Sequence, residues 1–147
     1  MNLRAASLLI ALSVGGCGPY ALNGKAVAGN QPGIRFTDPD DASLLAPGIP
    51  NATYQLTLDP RSLNRKVIAR GAAGYDGALS IPIHEPGAGF LEHEVELVVR
   101  HEGYDSAVSR FILPRRGTIV RVTLAPGPDR YRPPDDPLRD AEPYLKD

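Results

Sequence analysis

The chain has 147 residues, enough for one domain with one core, and its sixteen Lys and Arg against seventeen Asp and Glu give a net charge of -1. So balanced a charge argues against a nucleic-acid-binding surface and against long-range electrostatic steering. Fifteen Gly and fifteen Pro disfavour long helices, and with no Trp, six Tyr and three Phe the core must come mainly from Val, Ile, Leu and Ala.

Residues 1–16 have the pattern of a targeting signal. Arg4 gives a short basic start, and the apolar run Ala5 to Val14 is too short to span a bilayer but typical of the h-region of a signal peptide. Small residues then precede Cys17, which is the only cysteine of the chain, so no intrachain disulfide can form. The alternative interpretations are an ordinary secretory signal with a chance cysteine and a buried apolar N-terminal segment.

The motif Val14-Gly15-Gly16-Cys17 resembles the lipobox of bacterial lipoproteins, in which the cysteine is lipidated and becomes the new N-terminus. The resemblance implies a lipoprotein signal peptide at 1–16, acyl chains such as palmitate on Cys17, and anchorage through membrane lipid at the bacterial cell envelope. Several acyl chains on one residue hold a protein firmly, since a single chain gives only marginal binding. Gly18 at the second mature position favours the outer membrane.

Beyond this signal, short alternating runs separated by Gly, Pro and Asp predict an all-β domain of about seven strands. The third run places Tyr54, Leu56 and Leu58 inward, and Pro82 in the fifth run predicts an edge strand or a strand end. The predicted segments are Asn23 to Ala28, Ile34 to Phe36, Asn51 to Asp59, Lys66 to Arg70, Ala78 to Ile83, Leu91 to His101, Ala107 to Leu113 and Thr118 to Leu124.

The segment Leu91 to His101 carries the longest period-two pattern and predicts the central strand, with one face on the core. Val98 alone breaks the alternation. The side predicted to face inward has Leu91, His93, Val95, Leu97, Val99 and His101, and the side predicted to face outward has Glu92, Glu94, Glu96 and Arg100.

The remaining segments are predicted to lack strands. Thr37 to Pro50 is an irregular loop with room for one helical turn at Asp41 to Leu45, and from Pro126 onward the chain is too polar to offset its ordering entropy. We therefore predict a tether at 17–21, a β-sandwich domain at 22–125 and a solvated, proline-rich tail at 126–147. Three apolar tail residues offer contacts with the domain: Tyr131, Tyr144 and Leu145.

Short motifs carry a further resemblance from about Leu22 to Ala125. They are Gly24-Lys25-Ala26-Val27, the run Tyr75 to Pro82, Gly103-Tyr104 and the run Val120 to Leu124. On these motifs the chain resembles a carboxypeptidase regulatory-like domain, the seven-stranded Greek-key β-sandwich of the prealbumin, or transthyretin-like, type. It departs from that family in the insertion Thr37 to Pro50. The resemblance implies a binding or structural accessory module of extracytoplasmic proteins, generally without catalysis, and names no ligand.

The histidines offer only a weak candidate for a metal site. His93 and His101 are too far apart along one strand to share an ion. His84 and His93 bracket one loop, with Glu85 or Glu92 available as a third ligand, but solvated or strand-end histidines are the simpler interpretation. We therefore predict no metal and no cofactor.

Catalytic patterns are weaker still. The serines have no elbow or Gly-rich context, and Tyr131-Arg132 runs into two prolines where transthyretin-like hydrolases have Tyr-Arg-Gly-Ser. Our first hypothesis is a non-catalytic, lipid-anchored binding or scaffold module with an envelope protein or polysaccharide as partner.

Two alternatives remain open. One is a carbohydrate- or peptide-binding lipoprotein that uses the loops at one end of the sandwich, and the other is a metal-dependent enzyme. A loop pocket would require convergence of Phe36, Tyr54, Tyr75, Phe90 and Tyr104, and a basic patch that could contact lipid or polysaccharide would combine Arg110, Arg115, Arg116 and Arg121.

Overall fold

The computed structural model describes residues 19–131. The predicted signal peptide, Cys17 and the tail from residue 132 onward lie outside the described residues. Within them the chain forms nine strands and one short 3-10 helix, in the order β1 Tyr20–Ala28, β2 Gly33–Thr37, η1 Ala42–Leu45, β3 Thr53–Leu58, β4 Lys66–Ala72, β5 Ala78–Ile83, β6 Glu94–Arg100, β7 Tyr104–Asp105, β8 Ala107–Ile112 and β9 Ile119–Pro126.

The strands form two sheets that pack face to face as an all-β sandwich. Sheet A has the order β2-β9-β1-β5, with β7 pairing to the end of β9, and its β1 and β9 run parallel. Sheet B has the order β4-β3-β6-β8 and is antiparallel throughout. The edges of the two sheets lie close together, β2 beside β8 and β4 beside β5.

The core lies between the sheets and consists of the inward side chains of both. Val95, Leu97 and Val99 of β6 are fully buried, as the alternation predicts. The predicted inward residues Leu79, Ile81 and Ile83 of β5 are also buried, and β5 is an edge strand, as Pro82 indicates. The core is therefore largely aliphatic, as the sequence led us to expect. Among residues 19–131, Tyr20 and Tyr54 are its buried aromatic residues, and Tyr104 and Phe111 pack against it partly buried.

The first strand begins earlier than predicted. β1 starts at Tyr20, so Tyr20 and Ala21 belong to the sheet and not to the predicted tether. The reason is the Tyr20 side chain, which is 4% exposed and whose hydroxyl donates to the Pro114 carbonyl at 2.7 Å. A buried ring with a satisfied hydroxyl stabilises the start of the strand.

The central strand is shorter than predicted. β6 begins at Glu94, and Leu91 is 60% exposed in the preceding loop, so the predicted inward position of Leu91 is wrong. Glycines at 87 and 89, both with positive φ, turn that loop and interrupt the pleat. The short strand β7 was not predicted, because Tyr104 and Asp105 read as part of a turn.

The insertion between β2 and β3 crosses the outer face of sheet A. Its only helical element among the described residues is η1, at the predicted helical turn, and Lys25 of β1 donates to the Leu44 carbonyl at 2.8 Å. The segment then reaches the β5 side of β1, where the Ile49 amide donates to the Ala26 carbonyl at 2.8 Å. The insertion therefore covers the part of sheet A around β1.

The strand directions define two ends of the sandwich. The entry end, where β1 begins, has the loops 59–65, 84–93 and 113–118. The opposite end has the loops 73–77 and 101–103.

Candidate functional site

A concave surface with polar side chains lies on the outer face of sheet B. Pairing sets Gln55 of β3 opposite Arg70 of β4 on one side and Val98 of β6 on the other, and Thr53 opposite Arg100. Their inward neighbours Tyr54, Leu56 and Val99 are buried, so these side chains project away from the core.

These residues border an open groove of about 430 Å³. Backbone groups on this face are used in the strand ladders, so side chains supply the contacts available to a ligand. The described residues that line it are Thr53, Tyr54, Gln55, Arg70, Gly71, Val98, Arg100 and Tyr131. None of them is a carboxylate, an imidazole or a thiol, and two are arginines, so the groove has a positively charged lining.

Arg100 is the unusual member of this set. Its guanidinium carbon lies 4.5 Å from the centre of the Tyr131 ring, a cation–π distance. Its Nε atom is buried and has no hydrogen-bond partner among residues 19–131. Buried donors are nearly always hydrogen-bonded in folded proteins, so this Nε is an exception beside the groove.

Arg70 stands on the other side of β3. Its Nε donates to the Gln55 side-chain oxygen at 3.1 Å, which fixes the arginine over the sheet. The two arginines therefore flank one strand from β4 and β6. A ligand with acidic groups matches this arrangement, because guanidinium groups bind carboxylate and phosphate in a fork-like geometry.

The segment after β9 brings Tyr131 to the groove. The Ser106 hydroxyl and the Tyr131 amide both donate to Oδ1 of Asp129, at 2.8 and 3.1 Å. Burial opposes ionisation of Asp129, but these hydrogen bonds lower its pKa below the usual value. Burial raises the pKa of the Tyr131 hydroxyl, which stays neutral. The predicted tail thus contacts the domain through Tyr131, whereas Tyr144 and Leu145 lie outside the described residues.

A second charged pair lies on the same sheet face. Glu96 of β6 is only 7% exposed, and Nε of Arg110 in β8 donates to its carboxylate at 2.7 Å. That hydrogen bond, with the charge of Glu96, raises the pKa of the Arg110 guanidinium. The carboxylate is therefore paired with its strand neighbour Arg110, although its charge still acts on Tyr131 in the groove.

The weak metal candidates are not brought together. His93 Nε2 donates to the Pro86 carbonyl at 2.9 Å, and Glu85 forms an ion pair with Lys66 at 3.1 Å. His84 is exposed in the loop after β5. Within residues 19–131 no three His, Cys, Asp or Glu side chains are grouped so that they could hold a metal ion.

The five aromatic residues proposed for a loop pocket are dispersed. Phe36 packs edge-on against Phe111, Tyr54 is buried, and Tyr104 packs edge-on against His101. Tyr75 and Phe90 lie in loops at opposite ends of the sandwich. The described structure therefore does not form the aromatic pocket considered from the sequence.

The predicted basic patch is also divided. Arg110 lies on sheet B, Arg121 lies on sheet A in β9, and only Arg115 and Arg116 share a loop. Arg110 and Arg121 are close in sequence but lie on different sheets, because β8 belongs to sheet B and β9 belongs to sheet A.

The sequence did not predict the groove, although some of the residues that line it were placed correctly on the outer side of strands. Gln55 and Arg100 lie on the outward sides of predicted strands. The sequence pattern does not distinguish a ligand-binding polar residue there from a solvated one. Tyr131 stood in a predicted solvated tail, and nothing in its surroundings indicates that it returns to the domain.

The chain was compared with protein-family models, curated proteins and solved structures, and none of the three comparisons found a match. The class of protein defined here is thus an all-β sandwich with a positively charged groove on one sheet. No helix among residues 19–131 combines the length and apolar character needed to cross a membrane.

Proposed function

We propose that this protein is a non-catalytic binding module, held at the bacterial cell envelope by lipid on Cys17, whose groove on sheet B binds an acidic polysaccharide. The observation that carries the proposal is the pair of arginines, Arg70 and Arg100, at a groove with no carboxylate among its described lining residues. The lipobox-like motif supports the anchor, and the resemblance to carboxypeptidase regulatory-like domains agrees with an accessory role.

A saccharide chain fits this groove better than an extended peptide. Peptides that bind sheets commonly add a strand at an open edge, where backbone donors and acceptors are available. The groove instead lies over β3, which has β4 and β6 paired on either side. Side chains such as Thr53 and Gln55 can bond sugar hydroxyls, while the two arginines bind carboxylates.

Titration calorimetry with the full protein in detergent tests the groove, with polygalacturonate as the acidic probe and dextran as the neutral control. We expect binding to polygalacturonate alone, and a loss of about tenfold or more in affinity for Arg70→Gln and for Arg100→Gln, because each removes charge-assisted hydrogen bonds. Arg115→Gln, an exposed arginine at the entry end, is the matched control and should bind normally.

Equal binding by the two groove variants and the parent protein would place the site elsewhere. Binding of an acidic peptide in place of polygalacturonate would keep the groove but overturn the saccharide as its ligand.

A further inference from the structure

The entry end of the sandwich exposes large apolar side chains from two of its loops. Leu63 is 96% exposed in the loop after β3, and Phe90 and Leu91 are 83% and 60% exposed in the loop before β6. Burial in the core explains none of them, and exposed apolar residues grouped on one surface are characteristic of an interaction site.

Phe90 and Leu91 border a second open groove, of about 530 Å³, which extends to the last loop. Its lining combines apolar and basic residues with a single carboxylate. The described members are Gly89, Phe90, Leu91, Glu92, Ile112, Leu113, Arg115 and Arg116. Both arginines are exposed. Two other carboxylates at this end, Glu85 and Glu94, are held in ion pairs by Lys66 and Arg61.

This surface adjoins the point where the described chain begins. A terminal nitrogen of Arg116 donates to the Pro19 carbonyl at 3.3 Å, and its guanidinium lies 5.8 Å from the centre of the Tyr20 ring. Gly89 packs so closely on that ring that a Cβ there would come within 2.7 Å of it. The loops carrying Phe90 and Arg116 are thus fixed around the first residues of the fold.

The covalent chain limits how far a lipid on Cys17 can be from this surface. Cys17 precedes Pro19 by two residues, so even a fully extended chain separates their Cα atoms by only about 7 Å. Acyl chains attached to Cys17 therefore begin beside the entry end, whatever direction the intervening residue takes.

We infer that the entry end docks on the bilayer surface. Phe90 and Leu91 enter the interfacial layer, and Arg115 and Arg116 face anionic headgroups while their aliphatic stems lie along it. This inference rests on the proposed anchor, and it gives the anchored domain a fixed orientation. The loops 73–77 and 101–103 then point away from the membrane.

A single engineered thiol tests the orientation, since lipidation of Cys17 leaves no other cysteine free. The full lipidated protein carrying Phe90→Cys is labelled with a polarity-sensitive dye and reconstituted in phosphatidylethanolamine–phosphatidylglycerol vesicles. Tyr75→Cys is the matched control, an aromatic residue 91% exposed at the opposite end. We expect a blue shift and quenching by nitroxide-bearing lipid for the label at position 90 only.

A further variant tests the charge contribution without touching the start of β1. Adding Arg115→Gln to Phe90→Cys should weaken the quenching in vesicles that contain phosphatidylglycerol and leave it unchanged in phosphatidylcholine vesicles. Arg116 is kept, because it contacts Pro19.

The outcomes separate this inference from the anchor. If intact mass shows lipid on the chain while the label at position 90 stays as exposed to a water-soluble quencher as the label at position 75, the docking surface is wrong and the anchor stands. A chain without lipid mass overturns both.

Discussion

At the scale of single residues, Asp41 shows how one side chain organises the insertion on sheet A. It is the N-cap of η1, and its carboxylate accepts from the Ser43 amide at 2.7 Å and from the Thr37 hydroxyl. The Ser43 side chain, the Thr37 hydroxyl and the Ser43 amide lower the pKa of Asp41 to about 2. The ionised form is thus the one that fits the fold.

The sign of this shift predicts a pH dependence. Because the folded pKa of about 2 lies below the ordinary 3.8, the contribution of Asp41 to stability is complete above pH 3.8 and is lost as pH falls through 2. Asp41→Asn keeps a cap but cannot titrate. Urea unfolding at several pH values should show a smaller stability loss over this window in the variant, while parallel curves for both proteins would contradict the role of Asp41.

At the scale of elements, the turn into β5 depends on a close approach between three segments. Gly77 has φ of +79°, and a Cβ there would lie 2.5 Å from the Ala26 carbonyl oxygen and 2.7 Å from the Gly48 Cα. The same turn places the Gly77 carbonyl as acceptor for the Ala26 amide at 2.8 Å. The Asp-Gly pair therefore joins the turn, β1 and the insertion.

Gly103 provides a control for a substitution at Gly77, because its φ is +82° but nothing lies within 4 Å of an added Cβ. Gly103→Ala should cost about 1–2 kcal/mol from backbone strain alone. Gly77→Ala should cost a further 1–3 kcal/mol or so from the steric clash. Urea denaturation of the two variants measures the difference, and equal costs would show that the neighbours of Gly77 move aside freely.

At the scale of the whole molecule, the alternation of β5 and β6 predicted the sandwich because one face of each strand is buried. Local patterns could not predict Tyr20 as the start of β1, since its burial depends on the Pro114 carbonyl, distant in sequence. The same limit applies to Tyr131, which reaches Arg100 across the surface of sheet B.

The groove could not be predicted from the sequence for a related reason. Arg70, Gln55 and Arg100 come from three strands, and only the strand order β4-β3-β6 makes them neighbours. Val98 broke the alternation in the sequence, and the structure gives the reason, because it faces the groove and is 5% exposed there.

The anchor of the proposed envelope module is lipid on Cys17, and the intact mass of the protein tests it most directly. The protein is purified from the membranes of its native host and compared with Cys17→Ala. We predict a chain that begins at Cys17 and carries the mass of several acyl groups, with lipid and membrane association both lost in the variant. A soluble chain without lipid, cut at another residue, would contradict the anchor and leave the Cys17 thiol as a reactive group to be explained.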